Sequence, residues 1–189
     1  MAEGKKTKAA IASAYIQLCE EKEYAKISVQ DIALKASINR QTFYYHFQDK
    51  NELLRWVYFN DSLKFLASKE VKLDNWEEQA LKMLKRMQEK QVFYQNTMIG
   101  NRTILINEFF TVVQSIFRQL FRQVDEEKVL SKQDIDFYSR FFSFGCSGIL
   151  EAWICGNFQE SALEIATQLF RLAQDIEVFS YRIYQRKEE

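Results

Sequence analysis

No proline occurs anywhere in the 189 residues, and glycine occurs only 5 times. Strand-rich folds and doubly wound α/β folds reverse the chain often, and their turns draw on both residues. A chain without them is expected to be all-α. Apolar residues make up 47% of it, too many for a disordered polymer. The length allows one good core, or a small domain beside a medium one.

Helix starts are legible along the whole chain. A Ser or Asp followed three residues later by an acid can close a capping box, and the acid also suits the positive helix N-terminus. The pairs are Ser28 with Asp31, Asp49 with Glu52, Asp74 with Glu77, Ser131 with Asp134 and Ser161 with Glu164. Apolar spacing then predicts helices at about 7–22, 28–35, 39–46, 49–68, 74–90, 102–124, 133–156 and 161–184, with a short piece near 91–98. That makes about nine. Gly100 and the pair Gly156–Asn157 read as helix stops.

Several classes of function are disfavoured. Cys19, Cys146 and Cys155 are sparse and unclustered, and His46 is the single histidine. Neither a disulfide framework nor a metal site is expected, and no cofactor. No nucleophile–base pair or phosphate-binding glycine loop stands out, so an enzyme is not expected. Met1 is followed by no apolar leader, and the most apolar run, Phe141 to Leu150, is too short to cross a bilayer. A cytoplasmic protein without a membrane partner is the expectation. Lys+Arg and Asp+Glu balance at 26 each, so any DNA-binding charge must be local. Residues 1–50 hold eight basic and six acidic side chains, a net of only +2.

The most informative stretch runs from Ser28 to Lys50. Two short amphipathic helices joined by Ala36-Ser37-Ile38 match helix-turn-helix spacing. Asn39 caps the second helix, and Phe43 and Phe47 are spaced to pack inward. Arg40, Gln41, Thr42, Tyr44 and Tyr45 fall on its early turns. Arginine and glutamine suit base edges, while threonine and tyrosine hydroxyls reach phosphates or thymine methyls. On pattern alone an ordinary polar surface helix fits equally well.

The run Thr42-Phe43-Tyr44-Tyr45-His46-Phe47-Gln48-Asp49-Lys50-Asn51-Glu52-Leu53-Leu54 resembles the motif T-x-Y-Y-H-F-x-x-K-x-x-L-L of the TetR/AcrR family of bacterial transcriptional regulators. Ile27 to Ala33 resembles the family's second helix, and the likeness spans about residues 7–55. It implies a helix-turn-helix DNA-binding domain at 1–48 and a helical ligand-sensing and dimerisation domain at 49–189. It also implies roles for single residues. Arg40, Gln41 and Thr42 would face base edges. Tyr44, Tyr45 and Lys50 would grip phosphates, with Lys50 at a helix start that favours an anion. His46 would pack or lie beside a phosphate, and Ser28 and Thr7 would offer further bonds, although capping explains Ser28 equally well. Ser37 stands where the family has glycine, so a turn at φ > 0 is expected to be strained there.

The C-terminal part resembles, less specifically, the branch that includes regulators of dihydroxyacetone kinase operons, through Phe141 to Ile149, Trp153 and Gly156 to Phe158. The resemblance implies double-stranded operator DNA, a homodimer and an unknown small-molecule effector as partners, with a co-regulator protein possible in that branch. A helical co-regulator that binds a protein instead of DNA is the alternative, motivated by the near-neutral first 50 residues.

Three physical features carry the site expectations in this part. Gly145, Gly148, Ala152 and Gly156 lie within about 80° on a helical wheel at ~100° per residue, a stripe that lets another helix approach. Ile165, Leu169, Leu172, Ile176, Phe179 and Ile183 repeat like a bundle seam. Gly145, Gly148, Ala152, Leu169, Leu172 and Ile176 are therefore the expected dimer interface, with packing inside one chain as the alternative. Twenty-two of the 28 aromatics lie beyond residue 50. Trp56, Phe109, Phe110, Phe141 and Trp153 either line an apolar effector pocket or fill a core.

Overall fold

The computed structural model describes residues 2–68, 75–125 and 130–172. Among these it is all-helical, with no strand. The elements are α1 (Ala2–Glu21), α2 (Val29–Lys35), α3 (Arg40–His46), α4 (Lys50–Tyr58), α5 (Lys64–Ala67), α6 (Trp76–Glu89), α7 (Gln91–Val124) and α8 (Lys132–Cys155). A 3₁₀ turn, Tyr24–Lys26, follows α1, and a π turn, Phe59–Leu63, joins α4 to α5. Helical backbone recurs at 162–172.

The expected start signals act as caps. Ser28 with Asp31 and Ser131 with Asp134 close reciprocal capping boxes. The Asp49 side chain accepts the Glu52 N–H. Ser161 and Glu164 bond each other's backbone N–H. Asp74 lies outside the described residues, and Asn75, the residue before α6, makes no side-chain cap bond.

The stops need correction at Gly100. The backbone continues helically through it and breaks at Asn101 (φ −160°, ψ 75°), inside α7. The expected short piece and the 102–124 helix are thus two arms of one kinked element. At the end of α8 the left-handed residues are Asn157 (φ 61°) and Phe158 (φ 52°), not Gly156. The Phe158 N–H donates to Trp153 O at 3.0 Å and the Asn157 N–H to Ile154 O at 3.3 Å. This is a Schellman closure, completed by the Phe158 ring 4.5 Å from that of Trp153.

The helix-turn-helix closes in the same way. The Ile38 N–H donates to Ala33 O and the Ser37 N–H to Leu34 O, at 3.0 and 3.1 Å. Ser37 sits at φ 55°, so the serine adopts the backbone expected of glycine. A non-glycine residue there costs about 1–2 kcal/mol. Ser37→Gly is therefore expected to raise stability by about 1 kcal/mol in thermal unfolding. A lower melting temperature would contradict a strained turn.

One buried cluster runs from Ile11 on α1 through Phe43, Phe47, Leu53 and Tyr58 to Phe93, Leu105, Leu150 and Ala166. α7 and α8 pack along their length. Phe117, Phe121, Tyr138 and Phe142 interleave between them at centroid separations of 5.5–5.8 Å. Ion pairs of Arg118 with Asp136 (2.9 Å) and Arg102 with Glu151 (3.1 Å) border the seam.

Candidate nucleic-acid interface

α3 owes its orientation to two buried rings. Phe43 and Phe47 are fully buried, one helical turn apart, at a 5.9 Å ring separation. Phe47 also meets the Trp56 ring at 6.0 Å and lies under the Lys8 ammonium at 4.9 Å. Burying this face turns the other face of α3 outward. Arg40 and Gln41 are exposed there on the first turn. Tyr45 is 85% exposed and Tyr44 about half. The Arg40 guanidinium lies over the Tyr44 ring at 5.9 Å and donates to its hydroxyl at 3.5 Å. Such stacking pre-orients a planar fork at the helix start.

The other expected contacts are engaged within the protein. The Thr42 hydroxyl donates to Asn39 Oδ1 at 2.9 Å, and the same oxygen accepts the Thr42 N–H at 2.7 Å. Ser28 gives both its N–H and its O–H to Asp31 Oδ2, at 2.9 and 2.6 Å. Those bonds, with the Lys22 ammonium, hold the Asp31 carboxyl well below the usual range. Ser28 is a cap first. His46 is half-buried, with the Tyr45 ring at 5.0 Å.

Lys50 departs most from the expectation. Its ammonium donates to Tyr24 O at 2.8 Å and Ile27 O at 2.9 Å, and lies 3.9 Å from the centre of the Tyr24 ring. Partial burial lowers its basicity. Two of three N–H groups thus tie α4 to the corner between α1 and α2. Hydrogen bonds to a charged group are worth about 1.5–3 kcal/mol each, and burial and solvent reduce the net. Lys50→Ala is therefore expected to cost about 1–3 kcal/mol of stability. It should leave the slope of log K against log salt for DNA binding unchanged. A slope lowered by about 1, at unchanged stability, would restore a phosphate role.

The expected pocket aromatics differ in their surroundings. Phe109 and Trp153 are buried, and the Trp153 indole N–H donates to Glu160 O at 2.8 Å. Trp56 belongs to the Phe47 cluster. Phe110 pairs with Phe144 at 4.7 Å, while Phe141 points outward, 63% exposed. An outward ring lines no internal cavity, so Phe141 leaves that set.

The small-residue stripe faces outward. Among the described residues, a Cβ at Gly145 or Gly148 would meet nothing within 4 Å, and Ala152 is exposed. Phe137, Phe141 and Phe144 flank the stripe and are all more than half exposed. The second seam behaves differently. Ile165 is buried, and Leu169 and Leu172 pack, half-buried, on the chain's own core. Intramolecular packing accounts for those two leucines. Ile176, Phe179 and Ile183 lie outside the described residues.

Sequence reading missed Tyr24, Asn51 and Asn96. Tyr24 had no motif around it, and only the long-range contacts of its corner reveal it. No His/Cys/Asp/Glu group able to hold a metal occurs among the described residues, and no described helix is long and apolar enough to cross a membrane.

A profile described as bacterial regulatory proteins, tetR family, matches residues 11–57, and one described as transcriptional regulator C-terminal region matches residues 74–175. The chain is 33% identical over 159 residues to the HTH-type dhaKLM operon transcriptional activator DhaS of Lactococcus lactis subsp. lactis (strain IL1403). That match covers 83% of this chain and 80% of the relative. A solved structure of the dihydroxyacetone kinase operon activator DhaS superposes with a TM-score of 0.72 at 26% identity, covering 92% of this chain and 97% of that one. NalD, the secondary repressor of the MexAB-OprM multidrug efflux pump in Pseudomonas aeruginosa, shares the fold. Its TM-score is 0.60 at 18% identity, over 92% of this chain and 96% of that one.

Proposed function

The chain belongs to the TetR family of bacterial transcriptional regulators, and on that premise we propose that it binds a two-half-site operator in the cytoplasm as a homodimer. It is a DNA-binding regulator of a family of regulators, not of enzymes. The helix-turn-helix within residues 1–48 docks on DNA. Residues 49–189 dimerise and respond to an effector, either a small molecule or a co-regulator protein. The observation that carries this reading is the outward face of α3, where Arg40, Gln41, Tyr44 and Tyr45 stand together while Phe43 and Phe47 anchor the helix.

Arg40 and Gln41 read base edges in the major groove, and the two tyrosines bond phosphates. The capping bonds of Thr42 and Ser28 set the helix starts that present these side chains. Two such helices match half-sites about one helical turn apart, ~34–36 Å. An effector acts by changing that spacing. The kinship to DhaS supports activation of a dihydroxyacetone kinase operon as the regulatory output. The outward stripe of Gly145, Gly148 and Ala152 with its phenylalanine border supports the dimer.

A gel shift tests the proposal, using duplexes from the chain's own promoter and from its host's dihydroxyacetone kinase promoter. A retarded complex with two chains per duplex, weakening steeply as salt rises, is expected. A chain that shifts neither duplex at low salt, yet captures a second protein, would favour the co-regulator reading.

A further inference from the structure

The end of α1 is closed by a side chain from far along the chain. The last carbonyls of a helix have no partner within it. Asn96, on the first arm of α7, donates through Nδ2 to Cys19 O at 2.5 Å and to Lys22 O at 2.6 Å. Its Oδ1 accepts the Tyr24 N–H at 2.8 Å. One carboxamide therefore holds three backbone groups of the corner that leads from α1 into the helix-turn-helix.

Tyr24 fills the same socket. Its hydroxyl donates to Asn51 Oδ1 at 2.8 Å. Its ring lies beneath the Lys50 ammonium, and its carbonyl accepts from it. Gly100 is one helical turn beyond Asn96. A Cβ there would collide with Cβ, Cγ and Cδ1 of Tyr24. The glycine is therefore a notch cut for the tyrosine. Immediately after it the helix breaks at Asn101, whose Nδ2 reaches Asn51 Oδ1 at 3.5 Å. The arm 91–100 thus docks on the DNA-binding helices, and the arm 102–124 packs with α8.

We propose that Asn96 and Gly100 form a socket for the Tyr24 corner and are positioning residues for DNA binding. The socket sets the angle at which α1, and with it α2 and α3, is held against the body of the molecule. Neither residue touches DNA. Both act through Tyr24.

Full-length variants test this against a duplex enriched from a random pool by the wild-type chain. Asn96→Ala removes three hydrogen bonds, and its affinity for the duplex should fall about tenfold, the net effect of one to two of them. Hydrogen exchange should accelerate in the segment 19–28 and stay unchanged in 75–125. Gly100→Ala is the second variant. It keeps every polar group and adds a better helix former to α7. A purely structural role in α7 therefore leaves binding unchanged or improved. The socket instead requires weaker binding, again by about tenfold, because Tyr24 must move. If Asn96→Ala fails to fold, Gly100→Ala decides.

The proposal is overturned if both variants bind within about twofold of wild type, the size of an ordinary surface effect. It is also overturned if exchange accelerates throughout the chain. Should the wild-type chain enrich no duplex, the DNA-binding reading fails separately, and the exchange pattern still decides whether the socket exists.

Discussion

Alanine at Arg40 or Gln41 is expected to weaken binding to a selected operator by about 1–3 kcal/mol more than it weakens binding to random DNA. Both side chains are exposed on the first turn of α3. The N-terminal turn of a recognition helix is the part that reaches base edges. A bidentate contact to a base is lost with the side chain, whereas backbone contacts are common to all sequences. Arg40 should show the larger effect, because its fork is already oriented by Tyr44. On an operator bound by two identical subunits the loss counts twice. Competition between selected and random duplexes at one salt concentration measures it. Equal losses on both would make Arg40 a phosphate contact.

Gly148→Leu is expected to break the dimer while leaving the monomer folded. Among the described residues, no atom outside the helix's own nearby backbone lies within 4 Å of a Cβ at this position. The added side chain therefore meets no neighbour at its base among the described residues, and leucine is a better helix former than glycine. In a close helix–helix contact the same side chain overpacks, at about 1–3 kcal/mol or more, felt on both sides of a two-fold axis. Sedimentation should show wild type as a dimer and the variant shifted toward monomer, with its helix content unchanged. A variant dimerising as tightly as wild type would remove this stripe from the interface.

The parts of the molecule legible in the sequence are those governed by local rules. Ser28, Asp49, Ser131 and Ser161 each begin a helix because a cap needs only the next three residues. Phe43 and Phe47 face inward because helical spacing decides it. Ser37 has positive φ because the Schellman closure of α2 demands it, whatever residue stands there. The parts that were not legible depend on distant partners. Lys50 looks like a phosphate grip at a helix start until the Tyr24 and Ile27 carbonyls come within reach of it. Gly100 looks like a stop until the Tyr24 ring is seen against it. Phe141 counts as a pocket aromatic by composition, yet which face of α8 meets α7 decides where it points, and that is a tertiary property.

The central claim is that α3 reads a DNA sequence twice, once from each of two subunits. Enrichment of duplexes from a random pool by the full-length wild-type chain, at moderate salt, tests it most directly. The account predicts convergence on a sequence with two-fold symmetry and half-sites about one helical turn apart, ~34–36 Å. The same selection with Arg40→Ala should lose the preference at one position in each half-site. A wild-type pool that stays random after repeated rounds, while the chain still binds DNA weakly, would contradict the account.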